Sequence, residues 1–365
     1  MMIRLIKRKT LMKKNITIKD IARIAGVSPA VVSVALSDKS SSTRMSEKTR
    51  EQIRAIARQQ NYRPNIAARG FQKGKSYLIG VFLNCSSSYI LMRLLEELHD
   101  CCYEQNYDII LYPTSTLELE KRSLESSRSR NLDGIITIPV ATEEGNNAGS
   151  YHQFLEDGIP VVQLFYSISE KLDFVGRDYV ETGREAVRIL YQHGHRKIGL
   201  VIYDIYRDPE LGRNSNDFYK AAKEEAEKLK MELLTYSVEV PAELDNFPGQ
   251  EEGEKILALP SSERPTALFS NSNTLLYKVY GVLLQGGLKI PEDISLLGCG
   301  QDLNQKRTLL PDLSLLIPPM REIVRAAASR IIFPDALESK GISLFKSVFS
   351  NDCTIKNISD RRSKK

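Results

Sequence analysis

The chain has 365 residues, with 51 Lys and Arg against 46 Asp and Glu, a net charge of +5. Its five cysteines are odd in number and lack C-x-x-C spacing, which argues against a disulfide framework or a zinc site. No apolar run is long enough to span a bilayer, and the basic start MMIRLIKRKTLMKK lacks the apolar stretch of a signal peptide, so a cytoplasmic protein with no membrane partner is expected.

Charge is unevenly shared. Residues 1–75 hold 18 Lys and Arg against 4 Asp and Glu, a net +14 that leaves the rest of the chain at −9. A basic head on an acidic body suits a reader of nucleic acid joined to a domain that stays off the duplex.

Residues 1–15 read as a basic extension, and the first element follows them. Thr17 can cap a helix whose positive end Asp20 favours, with Ile18, Ile21, Ala22 and Ala25 at helical spacing. Gly26 breaks the run. Ser28 then caps a second helix with Pro29 in its first position, where the missing N–H costs nothing. Val32, Ala35 and Leu36 can turn inward, which leaves Pro29, Ala30, Val31, Ser33 and Val34 on the outward side. Two short helices in that order form a helix-turn-helix, whose second helix reads the major groove. A third helix begins at Ser46 and Glu47, buries Ile53, Ile56 and Ala57, and stops near Asn61. Arg44, Lys48, Arg50, Arg54, Arg58 and Arg63, interleaved with those apolar positions, are expected on phosphates. The next segment, YRPNIAARGFQKG from Tyr62 to Gly74, is a helix start followed by about two turns, too short to be stable alone. It is read as a hinge that orders on DNA.

Beyond residue 76 the pattern changes. Short apolar runs at Leu78 to Leu83, Ile109 to Tyr112, Gly134 to Ile138, Val161 to Phe165, Ile198 to Ile202, Ala267 to Phe269 and Ile294 to Leu297 alternate with helical stretches. Such alternation predicts an α/β fold of parallel sheets with helices on both faces, and the length suggests two lobes.

The run from Thr17 to Phe71 resembles the DNA-binding head and hinge of the LacI/GalR family of bacterial transcription regulators. The AGVS turn, the SxxTR start of the third helix and the YRPN hinge entry are all present. The likeness continues through Gly176 to Val201, Pro265 to Tyr277 and Gly287 to Gly298. It implies a helix-turn-helix domain over 16–62, a hinge over 63–76, and a two-lobed periplasmic-binding-protein-like core over 77–338. Lobe 1 would span about 77–175 and 317–338, lobe 2 about 176–316, and a tail would follow over 339–365. The resemblance further implies a homodimeric regulator, expected to repress, on a palindromic double-stranded operator, with an effector cleft between the lobes and no cofactor.

The same resemblance assigns residues. Bases would be read from Pro29, Ala30 and Val34; Val31 and Val34 stand where the family usually has threonine and arginine, so direct readout must be apolar, for instance against thymine methyls. Thr17, Ser28, Ser33 and the helix N-termini would hold phosphates. In the hinge, Phe71 takes the place of the leucine that wedges into the minor groove, beside Arg69 and Asn65; the alternative is that Phe71 packs on the body. The effector positions fall at Ser86, Tyr89, Arg177, Arg213, Asn214, Ser272, Asn273 and Gln301, although Ser86 to Tyr89 could equally be an ordinary strand-to-helix loop. Most acidic groups that would receive sugar hydroxyls are absent here. Three readings stay open: an anionic or less hydroxylated ligand held by Arg213 or Arg177, a sugar held by a different set, or no ligand and control by a regulatory protein partner.

Catalysis finds little footing. The four histidines lack metal spacing, and His193 to Lys197 reads as a helix C-terminus. No nucleophile elbow, P-loop or dinucleotide fingerprint occurs. The alternative is a small-molecule, sugar-like binding protein or a sugar-acting enzyme whose basic N-terminal segment is only an anchor.

Overall fold

The computed structural model describes residues 16–36, 45–62, 74–84, 89–142, 144–207, 213–239, 248–300, 312–334 and 341–359. The chain divides into two compact units, Met1–Lys75 and Ser76–Lys365.

In the first unit, α1 (Ile18–Ala25), α2 (Pro29–Leu36) and α3 (Glu47–Gln59) enclose a small core. Thr17 and Asp20 form a reciprocal cap: the Asp20 N–H donates to Thr17 Oγ1 at 3.3 Å and the Thr17 N–H to Asp20 Oδ2 at 3.0 Å. Gly26 ends α1 at φ 68°, the left-handed geometry that a residue without Cβ adopts freely. Ser28 Oγ accepts from the Val31 N–H at 3.4 Å, and Ser46 Oγ from the Thr49 N–H at 3.1 Å. Ile21, Ala22, Val32, Ala35 and Ile53 fill the centre, with Val31, Leu36, Ile56 and Tyr62 packed around them.

The second unit carries two six-stranded sheets. Lobe 1 holds β1 (Leu78–Asn84), β2 (Asp108–Thr114), β3 (Gly134–Ile138), β6 (Val161–Leu164), β7 (Asp173–Arg177) and β13 (Ile342–Phe345), in the order β13-β7-β6-β3-β1-β2, all parallel. A hairpin of β4 (Ala141–Thr142) and β5 (Gly145–Asn146) follows β3. Alternation along β1 sends Val81 and Leu83 to one face and Phe82 to the other. The first face is covered by α4 (Tyr89–Tyr103) and α11 (Met320–Ile332), the second by α5 (Leu117–Ser127) and α6 (Ala148–Glu156).

Lobe 2 holds β8 (Lys197–Tyr203), β9 (Glu232–Val238), β10 (Ala267–Ser270), β11 (Ser295–Gly298), β12 (Ser314–Ile317) and β14 (Val348–Phe349), in the order β14-β12-β11-β10-β8-β9. Only β14 is antiparallel to its neighbour in this sheet. One face is covered by α7 (Tyr179–Gln192) and α8 (Arg213–Lys228), the other by α9 (Gln250–Ala258) and α10 (Asn273–Gln285). Both sheets are therefore buried on two sides, as near-continuous apolar strands require.

The expected tail over 339–365 needs correction. Residues after 338 belong to the core: β13 closes the edge of lobe 1 against β7, β14 pairs with β12 in lobe 2, and Ile355 enters the lobe 2 interior. Thr354 is fully buried, giving its hydroxyl to the Leu296 carbonyl at 2.7 Å. Short edge strands pair on one side only and carry a weak apolar signature, which is why composition suggested a tail. With this segment in place the chain crosses between lobes three times, after β7, after β12 and after β13. The linker's far end is also fixed: Ser76 donates its N–H and hydroxyl to Asp133 Oδ1 at 2.7 and 2.8 Å, and the Tyr77 N–H reaches Oδ2 at 3.1 Å. Residues 63–73 of the expected hinge lie outside the described residues.

Candidate functional site

On the head, α2 separates its residues by face. Val32 and Ala35 are buried, Pro29, Ala30 and Ser33 are exposed, and Val31 and Val34 are half-buried. Ser28 is exposed at the N-terminus of this helix, where N–H groups point outward toward an anion. The head core is complete without Pro29, Ala30 or Ser33, so these side chains are presented rather than used for folding. Thr17 is exposed as well, but its hydroxyl donates to Asp20 Oδ2 at 2.7 Å within the cap. A phosphate at this end would meet the backbone and Lys19 more readily than that hydroxyl.

Two of the arginines expected on phosphates are half-buried in the head. Arg54 Nε donates to the Ala35 carbonyl at 3.0 Å and ties α3 to the end of α2. Arg50 is drawn inward, 20% exposed, with Nε 3.8 Å from Glu47 Oε2. Lys48 and Arg58 are exposed. Arg44, Arg63, Asn65, Arg69 and Phe71 lie outside the described residues.

In the core, the carboxyl ends of the two parallel sheets converge at the lobe junction, where ligands of open α/β folds bind. Arg177 ends β7 of lobe 1, and its Nη1 donates to the Cys299 carbonyl, just past β11 of lobe 2, at 2.7 Å. The guanidinium lies over the Tyr179 ring, 4.1 Å from its centroid, and the residue is 6% exposed. Cys299 is fully buried, and burial pushes its thiol up to about 12, so it is inert as a nucleophile. Its N–H donates to the Ser270 carbonyl at 2.7 Å, binding this turn to the end of β10.

Ser272 and Asn273 build this corner. Ser272 caps α10, its hydroxyl accepting from the Leu275 N–H, and it also bonds the Tyr203 hydroxyl at the end of β8. The Asn273 amide packs against Gly298 and Gly300; a Cβ at Gly298 would stand 2.6 Å from Asn273 Oδ1. A side chain at Gly298 would have to displace the Asn273 amide and Leu315. Ser86, Gln301 and the side chains of Tyr89, Arg213 and Asn214 lie outside the described residues. Sequence reasoning passed over Tyr203 and Asn271, which stand at strand ends of this same edge; position after an apolar run was the only signal they carried.

Comparison with known proteins agrees with this architecture. Residues 17–65 match the model of bacterial regulatory proteins of the lacI family, and residues 178–333 match a periplasmic binding protein-like domain. The ribose operon repressor of Haemophilus influenzae is 27% identical over 318 residues, covering 87% of this chain and 91% of that protein. The transcriptional repressor PurR of H. influenzae strain PittEE is 25% identical over 335 residues, covering 91% and 95%. Among solved structures, the lac repressor dimer bound to operator and the anti-inducer ONPF superposes with a TM-score of 0.72 at 18% identity, covering 94% of this chain and all of that one. A LacI family regulator from Enterococcus faecium with bound ribose gives 0.61 at 21% identity, covering 77% and 100%. The chain thus carries a DNA-binding domain of the lacI family of bacterial regulatory proteins together with a periplasmic binding protein-like domain, and it resembles named transcriptional repressors over most of their length.

Proposed function

We propose that this chain represses transcription as a homodimer whose two heads dock on a palindromic operator, with DNA affinity set by an effector in the cleft of the core. The presentation of Pro29, Ala30 and Ser33 outside a head core that is complete without them carries this reading. Alanine, proline and valine cannot make bidentate hydrogen bonds to base edges, so direct readout rests on apolar contact with thymine methyls. Ser28, Ser33 and the N-terminus of α2 hold phosphates and set register. In the hinge, Phe71 serves as a minor-groove wedge beside Asn65 and Arg69, with Arg44 and Arg63 on the backbone. Action on the chromosome puts the protein in the cytoplasm. Among the described residues no helix is long and apolar enough to cross a membrane.

Ala30→Glu tests the docking face. A carboxylate on the exposed side of α2 meets the phosphate field, so retardation of the protein's own upstream DNA should weaken by about tenfold or more, while the melting temperature stays unchanged. Undiminished binding by a folded Ala30→Glu protein would remove α2 from the interface.

A further inference from the structure

Among the described residues, Arg177 is a buried cation without a counter-ion. It is 6% exposed, and among the described residues it forms no ion pair with a carboxylate. A guanidinium offers five N–H donors, yet among the described residues this one meets a single carbonyl and one ring face, and its Nε has no hydrogen-bond partner there. Arg330, equally buried, shows what a structural arginine of this chain looks like. It donates to the Phe174 and Gly341 carbonyls and to Ser343 Oγ at 3.2, 2.7 and 2.6 Å. Taking a charge out of water is costly unless it is paired and hydrogen-bonded, so the deficit at Arg177 marks a place completed by something else.

Its position says what kind of thing. Arg177 closes β7 at the carboxyl edge of lobe 1 and reaches the corresponding edge of lobe 2 through Cys299. The Cys299 N–H leads to Ser270, and the following residue, Asn271, is 9% exposed with its Oδ1 lacking a hydrogen-bond donor among the described residues. This strand edge therefore buries a cationic donor and a neutral acceptor, both unused among the described residues.

We infer that Arg177 is the anion anchor of the effector cleft: the effector carries a carboxylate or phosphate group that accepts hydrogen bonds from the free edge of this guanidinium, and a hydroxyl that donates to Asn271 Oδ1. Planar, side-on recognition of that type is what arginine does best. A neutral sugar would leave the cation unpaired and should bind about tenfold or more weakly than its anionic counterpart. This rests on the reading that the cleft takes a small molecule.

The test is a thermal-shift comparison on the full chain with ribose against ribose 5-phosphate, glucose against glucuronate, and inorganic phosphate alone, at millimolar concentration. An anionic member should raise the melting temperature where its neutral partner does not. The two pairs separate phosphate from carboxylate. Arg177→Gln, which keeps a donor for the Cys299 carbonyl, should abolish that rise, and Arg177→Lys, which keeps the charge without the planar fork, should reduce it. The ligand-free melting temperature of each variant reports its folding. Equal shifts from both members of a pair would overturn the anchor and leave the effector cleft standing. An anionic shift that survives in folded Arg177→Gln would overturn it by placing the anion elsewhere, such as the basic head. No shift from any of the five would overturn the anchor together with the effector reading.

Discussion

His195 shows how strongly one side chain can answer to its surroundings. It is 1% exposed, with Nδ1 2.9 Å from Thr266 Oγ1. The Thr266 hydroxyl gives its proton to the Lys197 carbonyl at 3.1 Å, so His195 is the donor between them and its neutral form fits. Burial first, then the neighbouring charges of His193 and Arg196, together lower its pKa to about 4 against an opposing hydrogen bond with the Lys356 backbone. The unfolded chain therefore binds the proton more readily than the folded one. Stability is fully present above the unfolded value of 6.5 and falls as pH drops toward about 4. The loss attributable to this group is at most roughly 3 kcal/mol. Urea unfolding near pH 5 and near pH 7.5 should show a smaller acid loss in His195→Asn than in the parent. Parallel losses in the two proteins would mean that His195 does not carry the effect.

Single residues were also where sequence was least informative. Glu120 stands in LELEKRSLESS, a run that reads as a solvated helix, yet it is fully buried. It accepts from the Val140 N–H, Asn147 Nδ2 and the Tyr151 hydroxyl at 3.0, 2.8 and 2.9 Å, and so fixes the turn after β3. Nothing local in the sequence separates it from exposed Glu118, because the donors arrive from 20 to 31 residues away. Arg177 was legible as a candidate, but its lack of partners among the described residues could be seen only once both sheet edges were in place.

At the scale of elements, local chemistry was a good guide. Thr17 with Asp20, Gly26 and Ser46 mark the bounds of the head helices because capping is decided within four residues. The same holds after α7, where Gly194 takes φ 91° and Arg196 Nη1 donates back to the Tyr191 carbonyl at 3.0 Å. Ser46→Ala removes the acceptor for the Thr49 N–H and should cost about 1 kcal/mol. Because the head is a separate unit, the loss should appear as faster amide exchange in residues 47–57 with the core unchanged. Unaltered exchange there would show that the cap contributes nothing measurable. The strands that eluded the sequence share a physical cause. β9 is an edge strand carrying Glu232, Thr235 and Ser237, β12 has four residues, and β13 and β14 pair on one side only, so none presents a long apolar run.

For the whole molecule, twofold pairing needs a surface, and the outer edge of lobe 1 offers one. A shallow groove between α4 and the edge strand β2 is lined by Met92, Leu95, Ile109 and Leu111, flanked by charged residues. Met92 on α4 and Leu111 on β2 are 58% and 40% exposed, an apolar pair beside an unpaired sheet edge. We assign this face to contact with a second copy of the chain. Leu111→Arg should then shift sedimentation from dimer to monomer and lower operator affinity by about tenfold or more, since each head alone holds only half a site. A dimer that persists in Leu111→Arg would place the contact elsewhere.

The central claim is that a cationic head, with its charge of +14 over residues 1–75, faces DNA. The most direct measurement is the salt dependence of binding to the protein's own upstream DNA. If a dimer neutralises on the order of 8 phosphates, at roughly −0.9 per contact, the log–log slope is about −7. A slope near zero would contradict the account, because the basic head would then be turned away from the duplex.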